Sequence, residues 1–174
     1  MIMAKVIKLF GGPGCGKSTL AALLFAELKM LGFNCEVALE YAKDKVWEES
    51  YHTLDNQIYV FGKQHHLMFR LKENVDIIIT DSPLINSILY DSTNNSMLRE
   101  LVLFEFNKYQ NYNFLIERPK IYDTNGRRQS EEEAKELDSK VEELLLKNNI
   151  QVAKIAYGHN GVKQIVDLIC NEKI

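Results

Sequence analysis

At 174 residues the chain is long enough for one domain with a real core, and 46% hydrophobic with 26% charged residues is ordinary globular composition. A net charge of −3 and a pI near 5.8 argue against a general field for nucleic acid. No signal peptide is visible and no apolar stretch approaches the ~18 residues of a membrane span, so the expectation is a cytoplasmic protein with no membrane partner. The three cysteines, Cys15, Cys35 and Cys170, are odd in number and lack metal-like spacing, which reads as reduced thiols.

Taken in order, the chain opens with a short apolar strand, Lys5 to Phe10. A glycine-rich turn leads into a helix from Lys17 to Leu31, with Leu20, Leu24, Leu28 and Leu31 on one face and Gly32 as its stop. Strand two is Cys35 to Leu39, followed by a mixed helical region from Tyr41 to Lys72. Strand three is Val75 to Thr80, with a short helix after Pro83 and a polar loop over 91–95. A helix from Met97 to Tyr109 precedes strand four, Tyr112 to Ile116. A polar segment, Glu117 to Gln129, runs into a charged helix, Ser130 to Lys147. Strand five is Gln151 to Ala156, and the last helix covers about Val162 to Cys170. This alternation predicts a single α/β domain over residues 1–174, a parallel sheet flanked by helices.

The turn after strand one, Gly11 through Thr19, contains G-x-x-x-x-G-K-[ST] without a gap. Phosphates are surrounded by backbone N–H groups at close range, so side chains obstruct and glycine is favoured. A helix N-terminus adds orphan N–H groups and a favourable dipole. Gly12, Pro13, Gly14, Cys15, Gly16, Lys17, Ser18 and Thr19 are therefore the expected nucleotide cradle, with ATP and Mg2+ as its ligands. Lys17 reaches the β- and γ-phosphates and the Ser18 hydroxyl ligates Mg2+. Cys15 reads as a small neutral loop residue rather than a functional thiol.

In parallel sheets the ligand lies at the carboxyl ends of the strands. Asp81 ends strand three, where an acid reaches Mg2+ directly or through water; Asp81-Ser82-Pro83 also reads as a helix start, with Ser82 capping. Glu40 ends strand two and suits a base that orients and deprotonates an acceptor hydroxyl. With a phosphate monoester as acceptor it would instead touch a sugar hydroxyl, and the plain alternative is a solvated acid at a sheet edge. Trp47 to Leu71 is rich in aromatics and amides. There Phe61 and Gln64, three apart on one helix face, are candidates to stack on and pair with a nucleobase. His65 and His66 read as surface or partly buried residues. Arg118, Tyr122 and Gly126-Arg127-Arg128 suggest a lid at about 117–130 whose arginines neutralise the transferring phosphate. Gly158 to Gly161 is a strand-to-helix turn placed where an adenine would lie.

Gly11 to Thr19, the Glu40-Tyr41-Ala42 step, the Asp81-Ser82-Pro83 end of strand three and Gly126-Arg127-Arg128 together resemble the small P-loop nucleoside and nucleotide kinases. The likeness is greatest to the group that includes the nicotinamide riboside kinase domain and many phage proteins labelled AAA-family ATPases. The resemblance implies a three-layer α/β/α P-loop NTPase fold with a five-stranded parallel sheet in the order 2-3-1-4-5. It implies Lys17, Glu40, Asp81, Arg127 and Arg128 as the catalytic set and Ser18 and Asp81 at the metal; the residues themselves put Glu40, Phe61, Gln64 and Arg118 toward the acceptor. The implied activity is transfer of the ATP γ-phosphoryl group to a nucleoside or nucleotide. Two other readings stay open: a phage DNA-modification kinase acting on 5-hydroxymethyluracil in DNA, and a nucleotide-binding ATPase or switch with no acceptor. The implied place is the cytoplasm, of the host if phage-encoded, and an oligomer is compatible with all three. The run Asp81-Ser82-Pro83 lacks the arginine that deoxynucleoside kinases carry after this acid. The chain also lacks the arginine finger and the helical lid domain of motor AAA proteins.

Overall fold

The structure, a computed structural model, describes residues 4–119 and 130–171. In chain order its elements are β1 (Lys5–Phe10), α1 (Lys17–Met30), β2 (Cys35–Ala38), α2 (Tyr41–Trp47), α3 (Tyr51–Asp55), α4 (Gln57–Phe69), β3 (Ile77–Thr80), α5 (Asn86–Tyr90), α6 (Ser96–Asn107), β4 (Gln110–Ile116), α7 (Glu131–Lys147), β5 (Ala153–Ile155) and α8 (His159–Asn171). The five strands form one parallel sheet in the order β2-β3-β1-β4-β5, with Ile7 beside Ile79 on one side and Tyr112 on the other. This is the expected sheet and the expected order.

A strand alternates its side chains between faces, and β1 shows both faces being covered. Val6 and Phe10 face a layer from α4, α6 and α7 that includes Phe61, Met68, Val102, Phe106, Val141 and Leu145. Ile7 and Leu9 face the layer of α1 and α8, with Leu20, Leu24, Leu28, Ile165 and Ile169. Leu20, Leu24 and Leu28 are wholly buried, each burial contributing about 1.5–3 kcal/mol relative to exposure. Lys8, on the first of these faces, is also wholly buried.

The element ends show where local rules operate. Helix α1 closes one residue before the expected Leu31, in a Schellman turn. Gly32 takes φ 88°, its N–H reaches Lys29 O, and the Phe33 N–H reaches Leu28 O at 3.0 Å. Helix α7 opens with a capping box. The Ser130 hydroxyl accepts from the Glu133 N–H, and the Glu133 carboxylate accepts from the Ser130 N–H at 2.7 Å. The 41–72 region divides into three helices, α2 to α4. Helix α8 starts at His159, three residues before the expected Val162, so the Gly158 to Gly161 turn is mostly first-turn helix. Strand β5 is only three residues long. Ser82 is not a helix cap: Ile85 holds that position for α5, and the Ser82 N–H instead donates to the Thr80 hydroxyl at 3.2 Å.

Candidate nucleotide and acceptor site

β1 delivers the chain to Gly11 at the carboxyl edge of the sheet, and the loop closes at Gly16, which stands before the first residue of α1. Gly16 has φ 91°, a left-handed conformation that side-chain-bearing residues adopt at a cost of about 1–2 kcal/mol. Its α-carbon is also covered by Tyr157: a Cβ there would meet the ring at 2.2 Å. Cys15 is buried against Gly11, where a Cβ on the glycine would lie 2.5 Å from the sulfur. The cysteine thus fills space under the loop, as its small size suggested.

Lys17 arches back over this loop. Its Nζ donates to Gly11 O at 2.8 Å and Gly12 O at 2.9 Å. Burial alone works against an ammonium here, but the negative potential of Cys15, Glu40, Tyr90 and Asp81 outweighs it and raises the pKa above the ordinary 10.5. Lys17 therefore keeps its charge at neutral pH, and the carboxyl-bearing strand ends converge on it.

Asp81 is 1% exposed, and its Oδ1 has no hydrogen-bond partner among the described residues. A buried carboxylate oxygen without a partner is costly unless something else satisfies it. A divalent cation beside Ser18 would do so, and such a site needs few protein ligands because Mg2+ keeps waters and phosphate oxygens. The unpartnered Asp81 oxygen therefore fits a bound Mg2+. Among the described residues no cluster of three or more His, Cys, Asp or Glu suggests a separate, all-protein metal cage.

A cavity of about 320 Å³ opens over the loop. Its floor is Pro13, Gly14, Gly16, Lys17, Ser18 and Thr19; its opposite wall is built from α2 to α5 and includes Glu40, Lys43, Asp55, Gln57 and Tyr90. Glu40 stands immediately before α2 with an extended backbone, φ −63° and ψ 111°. That presentation depends on Gln64: its Oε1 accepts from the Tyr41 N–H at 3.0 Å and its Nε2 donates to Ala38 O at 3.4 Å. Thr80 donates to the same Ala38 oxygen at 2.8 Å. The turn carrying Glu40 is therefore held from both sides.

Several expected roles land elsewhere. Phe61 and Gln64 do share one face of α4, but both are buried and neither lines the cavity. Phe61 packs in the core and Gln64 fixes the Glu40 turn. Arg118 lies behind the phosphate loop, bonded to Asp138 and to Pro13 O, not on the cavity wall. His65 pairs with Glu105 at 3.2 Å, joining α4 to α6. Tyr122, Gly126, Arg127 and Arg128 lie outside the described residues.

The sequence reading missed Tyr90, Lys43 and Asp55, and gave Gln57 no role. Tyr90 stands at the rim, 42% exposed. Desolvation raises its pKa, Lys17 opposes the rise and Glu40 adds to it, so the phenol remains a hydrogen-bond donor at neutral pH. Gln57 donates to Leu54 O at 2.7 Å, which fixes its amide at the cavity wall. Only position could have signalled Tyr90: it ends the first helix after the Asp81 strand.

The fold and the loop together define a P-loop nucleotide-binding α/β domain. A family model described as an AAA domain matches residues 6–161, so the chain belongs to that family. No curated protein matches the chain by sequence. Solved structures share the fold. A structure of NadR protein in complex with NR superposes with TM-score 0.73 at 17% identity, covering 97% of this chain and 51% of that one, so this chain spans about half its length. Thymidylate kinase from Ehrlichia chaffeensis gives TM-score 0.62 at 14% identity, with 98% and 99% coverage. Shikimate kinase from Acinetobacter baumannii, in complex with shikimate, gives 0.57 at 15%, with 98% and 96%. This is the fold of the small P-loop kinases. Among the described residues no helix is long and apolar enough to cross a membrane.

Proposed function

We propose that the protein is an ATP-dependent phosphotransferase that moves the γ-phosphoryl group to a hydroxyl or phosphate of a nucleoside-like acceptor. The carrying observation is the cavity itself, with the Lys17 loop on its floor and Glu40 on the facing wall. A switch protein needs the floor but has no use for a walled chamber opposite it. The kinase folds of the superposed structures support the same reading.

In this reading the backbone N–H groups from Gly14 to Thr19 bind the donor phosphates, and Lys17 neutralises charge that develops on the transferring group. When bound, Mg2+ would supply further neutralisation of the phosphate oxygens, held by Ser18 and Asp81. Glu40 accepts the proton of an attacking hydroxyl, or orients a sugar hydroxyl if the acceptor is a monophosphate. Tyr90 and Gln57 orient the acceptor by hydrogen bonds. Arg127 and Arg128, outside the described residues, are the cations assigned to neutralise the transferring phosphate.

The test is incubation with γ-labelled ATP and Mg2+ against a panel of nucleosides, nucleoside monophosphates, shikimate, plain DNA and DNA bearing 5-hydroxymethyluracil. The expected result is label on a free nucleoside or nucleotide. Label on modified DNA alone would move the assignment to the DNA-directed reaction. Slow ATP loss with no acceptor labelled, and none accelerating it, would replace the kinase reading with a switch.

A further inference from the structure

Behind the phosphate loop, on the side away from the cavity, a second set of polar contacts joins the loop to α7. Asp138, in the middle of that helix, uses both carboxylate oxygens. Oδ1 accepts from the Gly12 N–H at 2.7 Å and Oδ2 accepts from Arg118 Nε at 2.6 Å. Arg118 then spreads its guanidinium: Nη1 donates to Pro13 O at 2.8 Å and Nη2 to Ala134 O at 3.2 Å. The side chains are largely sheltered, 14% exposed for Arg118 and 28% for Asp138. The fit is close: a Cβ on Gly12 would lie 2.7 Å from both Ala134 O and Asp138 Oδ1.

We propose that Asp138 and Arg118 are a positioning pair that presets the phosphate loop for the donor nucleotide. The inference rests on the ATP-binding reading above. Neither side chain lines the cavity, so both act through the backbone of Gly12 and Pro13. Gly12 and Pro13 precede the N–H groups at the helix start, so fixing them fixes the aim of the cradle. Groups of this supporting kind typically change affinity by ~10–100-fold when removed.

The charges are matched as well as the shapes. A lone carboxylate against the loop would repel phosphates, and the Arg118 guanidinium cancels it at hydrogen-bond range. The fork geometry matters because Arg118 reaches three partners at once, Pro13 in the loop and Ala134 and Asp138 on α7. A lysine keeps the charge and loses that reach. The pair also spans the 120–129 interval in sequence. Arg118 stands before it and Asp138 after it, so the strand leading into that interval and the helix leading out are pinned to one loop.

The matched charges give the proposal an uncommon signature. Removing Arg118 alone leaves Asp138 facing the loop uncompensated, so Arg118→Ala should weaken donor binding more than Asp138→Ala does. Adding Asp138→Ala to Arg118→Ala should then recover part of the loss.

The experiment is titration of the full chain with a fluorescent ATP analogue and Mg2+, beside thermal unfolding and steady-state kinetics. For Asp138→Ala the dissociation constant should rise about tenfold, by the range for supporting residues. For Arg118→Ala it should rise about thirtyfold, and the double variant should return toward the Asp138→Ala value. KM for the donor should follow, with KM for the acceptor and kcat within about twofold. Arg118→Lys should recover only part of the loss, because it keeps the charge and loses the fork. Unchanged donor affinity in a folded Asp138→Ala protein, or additive losses in the double variant, would overturn the proposal. If the alanine variants fail to fold, Asp138→Asn decides it. That variant keeps the acceptor for Gly12 and weakens the pair, so a severalfold rise supports the proposal and no change overturns it. If wild type itself fails to bind the analogue, the ATP reading has failed and not the pair.

Discussion

The two sides of the cavity are built by different means. The floor is made of backbone: a glycine-rich loop shaped by Gly16 at φ 91°, with Tyr157 against Gly16 and Asp138 on the Gly12 N–H. The wall is made of side chains, Glu40, Lys43, Asp55, Gln57 and Tyr90, brought by four helices of which three are seven residues or shorter. A backbone cradle recognises what all donors share, their phosphates. A side-chain wall can be rebuilt without disturbing the floor. Function on the floor should therefore be brittle to substitution, and function on the wall graded.

The largest effect that would break this contrast, if absent, is Lys17→Ala. It removes the cation over the loop, and transfer should fall by roughly a thousandfold. Circular dichroism should be unchanged. Asp81→Asn is next. Turnover should fall by about a hundredfold with a raised Mg2+ requirement. Thermal stability should hold or rise, because an unpartnered buried carboxylate oxygen is lost. A fall in both activity and stability would recast Asp81 as structural. On the wall, Tyr90→Phe removes one donor and should raise the acceptor KM by about fivefold, one neutral hydrogen bond's worth, leaving the donor KM alone.

The smallest effect on activity belongs to Lys8, nine residues before Lys17 and wholly buried, whereas Lys17 lines the cavity. Its ammonium lies 3.4 Å from the Phe106 ring centroid and bonds Phe106 O and the Asn111 side-chain oxygen. Burial pushes its pKa well below 10.5, opposite to Lys17, where the negative potential of neighbours including Glu40 and Asp81 outweighs burial. Lys8→Met should leave transfer unchanged and stabilise the fold at neutral pH by about 1 kcal/mol. The sign of the pH dependence follows from the lowered value. Below 10.5 the unfolded chain binds a proton that the folded chain resists, down to the folded pKa. Wild-type stability should thus rise with pH through that window, and the advantage of Lys8→Met should shrink, as followed by chemical unfolding from pH 7 to about 10.

The same contrast explains what was legible in the sequence. The floor is local. Gly11 to Thr19 is one stretch, its residue types are dictated by backbone geometry, and the flanking strand and helix carry clear periodicity. The acid at the end of β3 was legible because an apolar run ending in Asp81 marks a strand edge. The wall is tertiary. Phe61 and Gln64 do lie on one helix face, as spacing required, but spacing does not say that the face turns inward. Tyr90 carries no local signal, since its value lies in reaching the space above Lys17. Arg118 sat at the right strand end, and only the packing of α7 shows that its partner is Asp138. Short helices such as α3 and α5 are held by contacts rather than propensity, so their limits were not readable from periodicity.

Floor and wall are proposed to act together to move one phosphoryl group. The most direct measurement is the stoichiometry of ADP released to phosphorylated acceptor formed, using γ-labelled ATP and the best acceptor from the panel. Equal amounts of both products in wild type, with neither formed by Lys17→Ala, is the predicted result. ADP released with free phosphate and no labelled acceptor, or transfer undiminished in Lys17→Ala, would contradict it.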